Sequence, residues 1–194
     1  MGLVLASASP RRADLLRAAG FTFDVLPVDV DEQFLPGEKP REAVSRLAEA
    51  KAVAAAAALA AGLTASVILG ADTAVVVHGQ ALGKPADEAD AGRMLRLLSG
   101  QTHEVMTGIC LLKDQGRLVH VETTDVRMAR LTEAEIAWYV GTGEPFDKAG
   151  GYAVQGLGAR FIEGIDGSYS NVVGLPISRL YTLMKELGCA ILAV

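Results

Sequence analysis

The chain has 194 residues, which is enough for one substantial hydrophobic core. Its formal net charge of −5 at pH 7 argues against nonspecific binding to DNA or RNA, which requires an excess of positive charge. Its two cysteines are too few for a disulfide framework and lack metal-ligand spacing, and its longest apolar run, at residues 52–61, is too short to cross a bilayer. We therefore expect a cytoplasmic protein without a hydrophobic leader, and with neither nucleic acid nor a membrane as its partner.

The segment at residues 7–12 connects an apolar strand to an amphipathic helix. Ser9 is suited to cap that helix and Pro10 to stand in its first turn, where a missing N–H costs nothing. The helix N-terminus offers N–H groups and a partial positive charge, and Arg11 and Arg12 add guanidinium donors beside it. The segment therefore predicts an anion site for phosphate; the alternative is a capped helix with two solvated arginines.

The rest of the first half alternates between predicted strands and helices, which favours an α/β fold. A strand at residues 23–26 is followed by an acidic loop and by a long helix that begins at Pro40 and ends at Gly62. An apolar strand at 67–69 and an extended segment at 74–77 come next, and the chain turns back at His78 and Gly79. The next helix is capped by Asp87 and ends at Gly100.

The second half begins with two β-rich runs that predict a long antiparallel hairpin. The elements are these runs at residues 103–112 and 118–128, a helix that starts with the capping box Thr132–Glu135, a glycine-dense stretch at 141–174, a helix at 177–187 and a terminal strand at 191–194. Neither a repeat nor a linker divides the chain, so one domain over residues 1–194 with a mixed sheet is expected. Gly156 and Gly158 are not followed by a helix of a βαβ unit and do not indicate dinucleotide binding.

Asp72 is the strongest candidate for an acid or base. It is predicted just past the C-terminal end of an apolar strand, where open α/β sheets place their ligands. A carboxylate there can bind Mg²⁺ or accept a proton from water, and the alternative is a turn residue that bonds its own backbone. Asp31 and Glu32, in the acidic loop, can supply a second metal oxygen or can form a solvated loop.

Two lysines and an amide are the candidate polar contacts for a substrate. Lys84 stands between glycine and proline, so its amine projects from a stiff turn. Lys51 lies on the long helix, where an ordinary exposed lysine is the alternative. Gln155 can donate and accept hydrogen bonds, which is the pairing needed to read a nucleobase edge; an exposed glutamine in a strand connection is the alternative. Thr73 can donate a hydrogen bond to the substrate. We expect His103 to make a structural hydrogen bond and not to bind a metal.

Six ordered motifs that span nearly the whole chain resemble the Maf family. They are Ser7-Ala-Ser-Pro-Arg-Arg-x-x-Leu-Leu16, Gly70-Ala-Asp-Thr73, Gly83-Lys-Pro85, Ser99-Gly-x-Thr-His103, Glu144-Pro-x-Asp-Lys-Ala-Gly150 and Gly167-Ser-Tyr-x-Asn-Val-Val-Gly-Leu-Pro176. The resemblance implies a fold similar to the inosine triphosphate pyrophosphatases, with an elongated mixed sheet flanked by helices and a central cleft between two lobes. It also implies hydrolysis of nucleoside triphosphates to monophosphate and pyrophosphate with a divalent cation, Mg²⁺ or Mn²⁺.

The same resemblance implies a substrate and a set of roles. Arg11, Thr73 and Gln155 match the form of the family that acts on dTTP and UTP. Asp72 is then the catalytic base and a metal ligand, and Glu32 is the second metal ligand. Thr73 and Gln155 select the base, and the residues that meet the triphosphate in the cleft are Ser9, Arg11, Arg12, Lys51 and Lys84. Two other functions stay open: a pyrophosphatase for modified purine nucleotides such as N7-methyl-GTP, and a nucleotide-binding regulator of cell division. A homodimer is an open alternative to a monomer.

Overall fold

Seven strands form one mixed sheet in the computed structural model, which describes residues 2–59 and 67–189. The strands are β1 (Leu3–Ala6), β2 (Phe23–Val25), β3 (Val67–Val77), β4 (Gln80–Leu82), β5 (Thr102–Lys113), β6 (Gly116–Met128) and β7 (Ile162–Asp166). The helices are α1 (Pro10–Ala18), α2 (Pro40–Leu59), α3 (Glu88–Leu98), α4 (Glu133–Gly141), α5 (Tyr169–Val173) and α6 (Ile177–Glu186), with 3-10 turns at Glu144–Asp147, Ala149–Gly151 and Gly156–Phe161. The predicted α/β fold with a mixed sheet is confirmed.

The strand order of the sheet is β2-β1-β3-β5-β6-β7, and β4 pairs with β3 outside this path. β1 is parallel to both β2 and β3, with Ala6 opposite Gly70, whereas β4 is antiparallel to β3 and β7 to β6. The chain turns from β3 to β4 at His78 and Gly79, whose φ angles of 51° and 77° suit a two-residue hairpin turn. The predicted position of this turn is therefore confirmed.

The chain divides into two units, each with its own core. The first unit contains the described residues of Met1–Asp72, Thr107–Glu122 and Gly174–Val194, and the second contains Thr73–Met106 and Thr123–Val173. Fully buried side chains include Leu5, Leu16, Leu69, Ile109 and Leu111 in the first unit, and Leu82, Leu95, Leu98, Met128 and Tyr139 in the second. One domain over residues 1–194 stays a prediction.

Helix α2 touches the sheet of the first unit backbone to backbone. A Cβ atom on Gly70 of β3 would lie 2.1 Å from the carbonyl oxygen of Ala48, and one on Gly108 of β5 would lie 2.2 Å from that of Val44. Real Cβ atoms do not approach other atoms this closely, so only glycine at these two strand positions admits the helix. The small alanine side chains of α2 permit the same approach from the helix side.

Helix α1 begins differently from the prediction. Ser9 is the N-cap residue, but its side chain makes no capping hydrogen bond. The N–H of Ser9 donates instead to the Ser7 hydroxyl oxygen at 3.2 Å. The prediction of a side-chain cap by Ser9 is therefore wrong, and the serine hydroxyl that accepts a backbone N–H at this turn is that of Ser7.

Strand β3 is longer than predicted. It runs without a break over Val67–Val77, so Asp72 lies within the strand and not beyond its end. Its first half pairs with β1 and its last residues pair with β4, so strand partners keep both halves extended. The alternative of a turn residue is therefore wrong for Asp72. The predicted helix end at Gly62 and the predicted strand at 191–194 lie outside the described residues.

Candidate active site

Lys51 connects two carboxylates in the first unit. Its Nζ lies 2.7 Å from Oδ1 of Asp72 and 2.5 Å from Oε1 of Glu32. Lys51 and Asp72 are buried, whereas the Glu32 side chain is 53% exposed. The three groups come from α2, from β3 and from the loop between β2 and α2. The alternatives of an ordinary exposed lysine and of a purely solvated Glu32 are therefore wrong.

The close approach of α2 to β3 explains why Lys51 reaches Asp72. Residues two apart on a strand point to the same face, so Asp72 lies on the face that Gly70 opens to the helix. Residues three apart on a helix are neighbours on one side, so Lys51 lies on the side on which Ala48 contacts Gly70. The glycine two positions before Asp72 thus allows the ion pair to form.

Arg12 attaches the first turn of α1 to the neighbouring backbone. Its Nε donates to the Gly174 carbonyl at 2.8 Å, and its Nη1 donates to the Ala71 carbonyl at 2.9 Å and to the Ser7 hydroxyl at 3.0 Å. Burial lowers the pKa of Arg12 below its ordinary value, although the nearby carboxylates, chiefly Asp72, oppose that shift. The alternative of a solvated arginine is wrong here. The contact with Ala71 fixes the backbone directly before Asp72.

Two segments that carry predicted substrate contacts adjoin each other in the second unit. The Gly150 N–H donates to the Gly83 carbonyl at 2.9 Å, which connects the turn of Lys84 to the segment that leads to Gln155. Lys84 and Gln155 are both exposed. Within the described part of the chain, neither side chain makes a hydrogen bond or an ion pair. Both polar groups are therefore available to a ligand.

The predicted site residues are distributed over both units. The first unit contains Ser9, Arg11, Arg12, Glu32, Lys51 and Asp72, and the second contains Thr73, Lys84 and Gln155. Thr73 directly follows Asp72 in β3 and is half-buried, as are Ser9 and Arg11 at the start of α1. The roles of these residues, and their convergence on one cleft, stay predictions.

The oxygen donors of Glu32 and Asp72 fit Mg²⁺ or Mn²⁺. Both carboxylates already converge on one cation, the Lys51 ammonium, and carboxylate oxygen is the ligand that these ions prefer. Among the described residues no group of three histidine, cysteine, aspartate or glutamate side chains converges on one point.

His103 makes the structural hydrogen bond that the sequence predicts. Its Nε2 lies 2.7 Å from the hydroxyl of Tyr152, and the two rings meet edge to face. Its Nδ1 is buried and has no hydrogen-bond partner among the described residues. Burial lowers the pKa of His103 to about 4, so the ring is neutral at pH 7.

Sequence reasoning missed Ser7, Gly70 and Glu144 as residues that support the candidate site. Ser7 accepts hydrogen bonds from Ser9 and Arg12, and Glu144 organises the backbone around Gln155. No local pattern indicates either contact. For Gly70 a signal was present, because a glycine within an apolar strand often marks a close backbone approach.

A family model described as "Maf-like protein" matches residues 2–187. The chain belongs to the Maf-like protein family. This assignment confirms the resemblance on which the sequence predictions rest. Within the described residues of this Maf-like protein, no helix is long and apolar enough to cross a membrane.

Relatives of this Maf-like protein match it along nearly their whole length. A protein named dTTP/UTP pyrophosphatase from Koribacter versatilis is 52% identical over 188 residues, which cover 97% of this chain and 95% of the relative. A protein of the same name from Anaeromyxobacter dehalogenans is 52% identical over 190 residues, covering 96% of this chain and 94% of the relative. A third, from Syntrophomonas wolfei, is 50% identical, with coverage of 97% and 98%.

Solved structures also resemble the chain. The Ham1 protein of Staphylococcus aureus is 14% identical, with a TM-score of 0.48 and coverage of 96% of this chain and 100% of that chain. A nucleoside-triphosphatase, named dITP/XTP pyrophosphatase, from Mycobacterium abscessus is 16% identical, with a TM-score of 0.41 and full coverage of both chains (100% each).

Proposed function

We propose that this Maf-like protein hydrolyses nucleoside triphosphates, dTTP and UTP before others, to the monophosphate and pyrophosphate. The observation that carries the proposal is the pair of carboxylates, Glu32 and Asp72, gathered by the buried amine of Lys51. Such a group can hold a divalent cation and deprotonate water. Relatives 50% or more identical that are named dTTP/UTP pyrophosphatase support the choice of nucleotide.

Asp72 is the base in the proposed reaction. Lys51 Nζ binds its Oδ1 at 2.7 Å, which fixes the orientation of the buried carboxylate. Its Oδ2 makes no hydrogen bond within the described part of the chain and can accept a proton from water. The water oxygen then bonds to the α-phosphorus, its proton passes to Asp72, and pyrophosphate leaves with the electron pair of the broken P–O bond.

Glu32 and Asp72 would hold Mg²⁺ or Mn²⁺. When bound, such an ion neutralises phosphate charge and stabilises the pyrophosphate leaving group. Lys51 keeps the two carboxylates together because it binds one oxygen of each. Arg12 supports the same arrangement, since its hydrogen bond to the Ala71 carbonyl fixes the backbone next to Asp72.

The remaining cations and the amide would bind the rest of the nucleotide. Arg11 and Lys84 neutralise phosphate charge, and Ser9 donates to a phosphate oxygen. The Gln155 amide can donate to the O4 carbonyl of uracil or thymine and accept from its N3–H, while Thr73 adds a donor. The exposed, unbonded state of the Gln155 amide among the described residues supports this role.

A panel of nucleoside triphosphates with Mg²⁺ tests the proposal. Each nucleotide is assayed for pyrophosphate directly and, in parallel, for orthophosphate without added inorganic pyrophosphatase. We expect pyrophosphate as the first product and a higher kcat/KM for dTTP and UTP than for GTP or ATP. Orthophosphate as the first product, or faster turnover of N7-methyl-GTP than of UTP, would overturn it.

We propose further that the protein acts in the cytoplasm. Cys110 and Cys189 are both free and buried, and burial raises the pKa of the Cys110 thiol to about 12. Unpaired thiols are typical of a reducing compartment. The absence of nucleic-acid and membrane partners, and the alternative of a homodimer, stay predictions.

A further inference from the structure

The backbone on both sides of Gln155 is fixed by hydrogen bonds to two side chains. The N–H groups of Leu157 and Gly158 donate to Oε2 and Oε1 of Glu144, each at 2.9 Å. On the other side, the Ala153 N–H donates to the Tyr139 hydroxyl at 3.1 Å. We call residues 153–158 the Gln155 segment. Its two ends are thus attached to the same part of the second unit.

Glu144 and Tyr139 act as one group. The Tyr139 hydroxyl donates to Oε1 of Glu144 at 2.7 Å while it accepts from Ala153, so both of its hydrogen-bonding capacities are used. Tyr139 has no exposed surface, and its ring meets Phe161 edge to face. The hydroxyl therefore has a fixed position from which it orients the carboxylate and the start of the segment.

The two glycines of the segment lie directly against this group. Gly156 has a φ of 82°, and a Cβ atom there would lie 2.6 Å from Oε2 of Glu144. A Cβ atom on Gly158 would lie 2.5 Å from the Ala153 carbonyl oxygen and 2.6 Å from the Tyr139 hydroxyl. The Gly-x-Gly pattern, which does not indicate dinucleotide binding, thus allows the backbone to wrap closely around a carboxylate.

The Glu144 carboxylate is ionised at neutral pH. Burial alone would raise its pKa, but the hydrogen bonds from Leu157, Tyr139 and Gly158 more than offset burial and hold the pKa below its ordinary value. Hydrogen bonds to an ionised acceptor are stronger than neutral ones. The main chain of Glu144 is held as well, since its carbonyl accepts from Lys148 Nζ at 2.7 Å.

We propose that Glu144 is a positioning residue that sets the nucleobase selectivity of the enzyme by holding the Gln155 segment in one conformation. The inference rests on the proposed function, in which Gln155 reads the base. A fixed backbone with an unbonded amide head is the arrangement that preorganised recognition requires, because little conformational freedom is lost on binding. Tyr139 takes part as the residue that orients Glu144.

The Glu144→Gln variant tests the assignment. Whichever way its amide is turned, the NH₂ group faces the N–H of Leu157 or of Gly158, so one backbone donor loses its acceptor. The Tyr139→Phe variant, which removes the hydroxyl alone, tests the same group by a second route. Glu133→Gln is the matched control, because Glu133 lies on α4 like Tyr139 but pairs with Arg96 at the surface.

Three quantities are measured for each variant whose thermal unfolding remains cooperative: kcat/KM for UTP, kcat/KM for GTP, and the inhibition constant of inorganic tripolyphosphate, which carries the phosphates without a base. We expect Glu144→Gln and Tyr139→Phe to lower the UTP:GTP ratio about tenfold or more, mainly through KM for UTP. The tripolyphosphate constant should stay unchanged, and Glu133→Gln should behave like the parent protein.

The outcomes separate this inference from the proposed function. If the parent protein prefers UTP and a cooperatively folded Glu144→Gln or Tyr139→Phe variant keeps the same ratio, the positioning role is overturned and the proposed function stands. An equal loss for UTP, GTP and tripolyphosphate would also overturn it, since Glu144 would then support the whole fold. If the parent protein has no preference for UTP over GTP, both proposals fail together.

Discussion

A Cβ atom on Gly70 would lie 2.1 Å from the carbonyl oxygen of Ala48, so helix α2 and strand β3 meet backbone to backbone. The Lys51–Asp72 ion pair forms next to this contact: Lys51 lies about one helical turn after Ala48, and Asp72 lies two strand positions after Gly70. The candidate catalytic centre of this Maf-like protein therefore depends on the absence of a side chain at residue 70.

The first prediction concerns the Gly70→Ala variant. The added methyl group must displace α2 from β3, which we expect to lower the free energy of unfolding by about 2 kcal/mol or more and to lower kcat, because Lys51 moves with the helix. Urea unfolding and UTP hydrolysis measure the two effects. Gly141→Ala is the control, since a Cβ atom there would meet nothing within 4 Å. A Gly70→Ala variant as stable and active as the Gly141→Ala variant would contradict this close packing of α2 on β3.

The second prediction concerns the Asp72→Asn variant. The amide is nearly isosteric but cannot accept a proton from water at neutral pH, so we expect kcat to fall by about two to four powers of ten. Nucleotide binding, measured by calorimetry, should be retained to a larger extent than turnover. Asp14→Asn is the control, because Asp14 is exposed and, among the described residues, pairs only with Arg17. Retention of most of the parent kcat would remove Asp72 from the role of base.

Local patterns sufficed to predict most of the fold. The capping box at Thr132 and Glu135 and the cap at Asp87 occur as predicted, because both are contacts between residues three apart in sequence. The predicted strand end at Leu69 is wrong because β3 has partners along its length: β1 pairs with it as far as Gly70, β5 is its neighbour in the sheet, and β4 pairs with Val75–Val77. Strand length here depends on partners elsewhere in the chain, which a local pattern does not contain.

The site was harder to predict from sequence for the same reason. Asp72 could be chosen from its position near an apolar strand, but the burial of Lys51 follows from a helix packed on a glycine 19 residues away in sequence. The Arg12 guanidinium likewise reaches across the first unit to the carbonyls of Gly174 and Ala71. These contacts exist only once the fold has formed.

The third prediction concerns the divalent cation. Removal of metal with EDTA should abolish UTP hydrolysis, and Mg²⁺ or Mn²⁺ should restore it. In the Glu32→Gln variant, the loss of one charged oxygen ligand should raise the Mg²⁺ concentration for half-maximal rate at least about tenfold. Glu42→Gln, an exposed change on α2, serves as the control. An unchanged Mg²⁺ requirement in the Glu32→Gln variant would exclude Glu32 as a ligand.

The fourth prediction concerns stability in acid. The pKa of buried His103 is about 4, below the ordinary value of 6.5. Between these two pH values, His103 binds a proton in the unfolded chain but not in the folded protein. Stability is therefore lost as the pH falls from about 6.5 toward 4. We expect His103 to lower the free energy of unfolding by about 2 kcal/mol between pH 7.5 and pH 5.

Urea unfolding of the parent protein and of a His103→Gln variant at both pH values isolates this contribution. Between pH 7.5 and pH 5, the free energy of unfolding should fall by about 2 kcal/mol less in the variant than in the parent, because glutamine does not titrate. Equal losses in the two proteins would show that His103 takes up a proton in the folded state as readily as in the unfolded chain.

Phosphorus NMR of UTP hydrolysis in the presence of Mg²⁺ tests the central claim most directly, because it identifies the bond that breaks. Attack at the α-phosphorus predicts UMP and pyrophosphate in equal amounts from the earliest time point, with no UDP. The same spectra for the Asp72→Asn variant should show UTP almost unchanged. UDP and orthophosphate as the first products would contradict the account, since the chain would then cleave the outer anhydride bond and not the inner one.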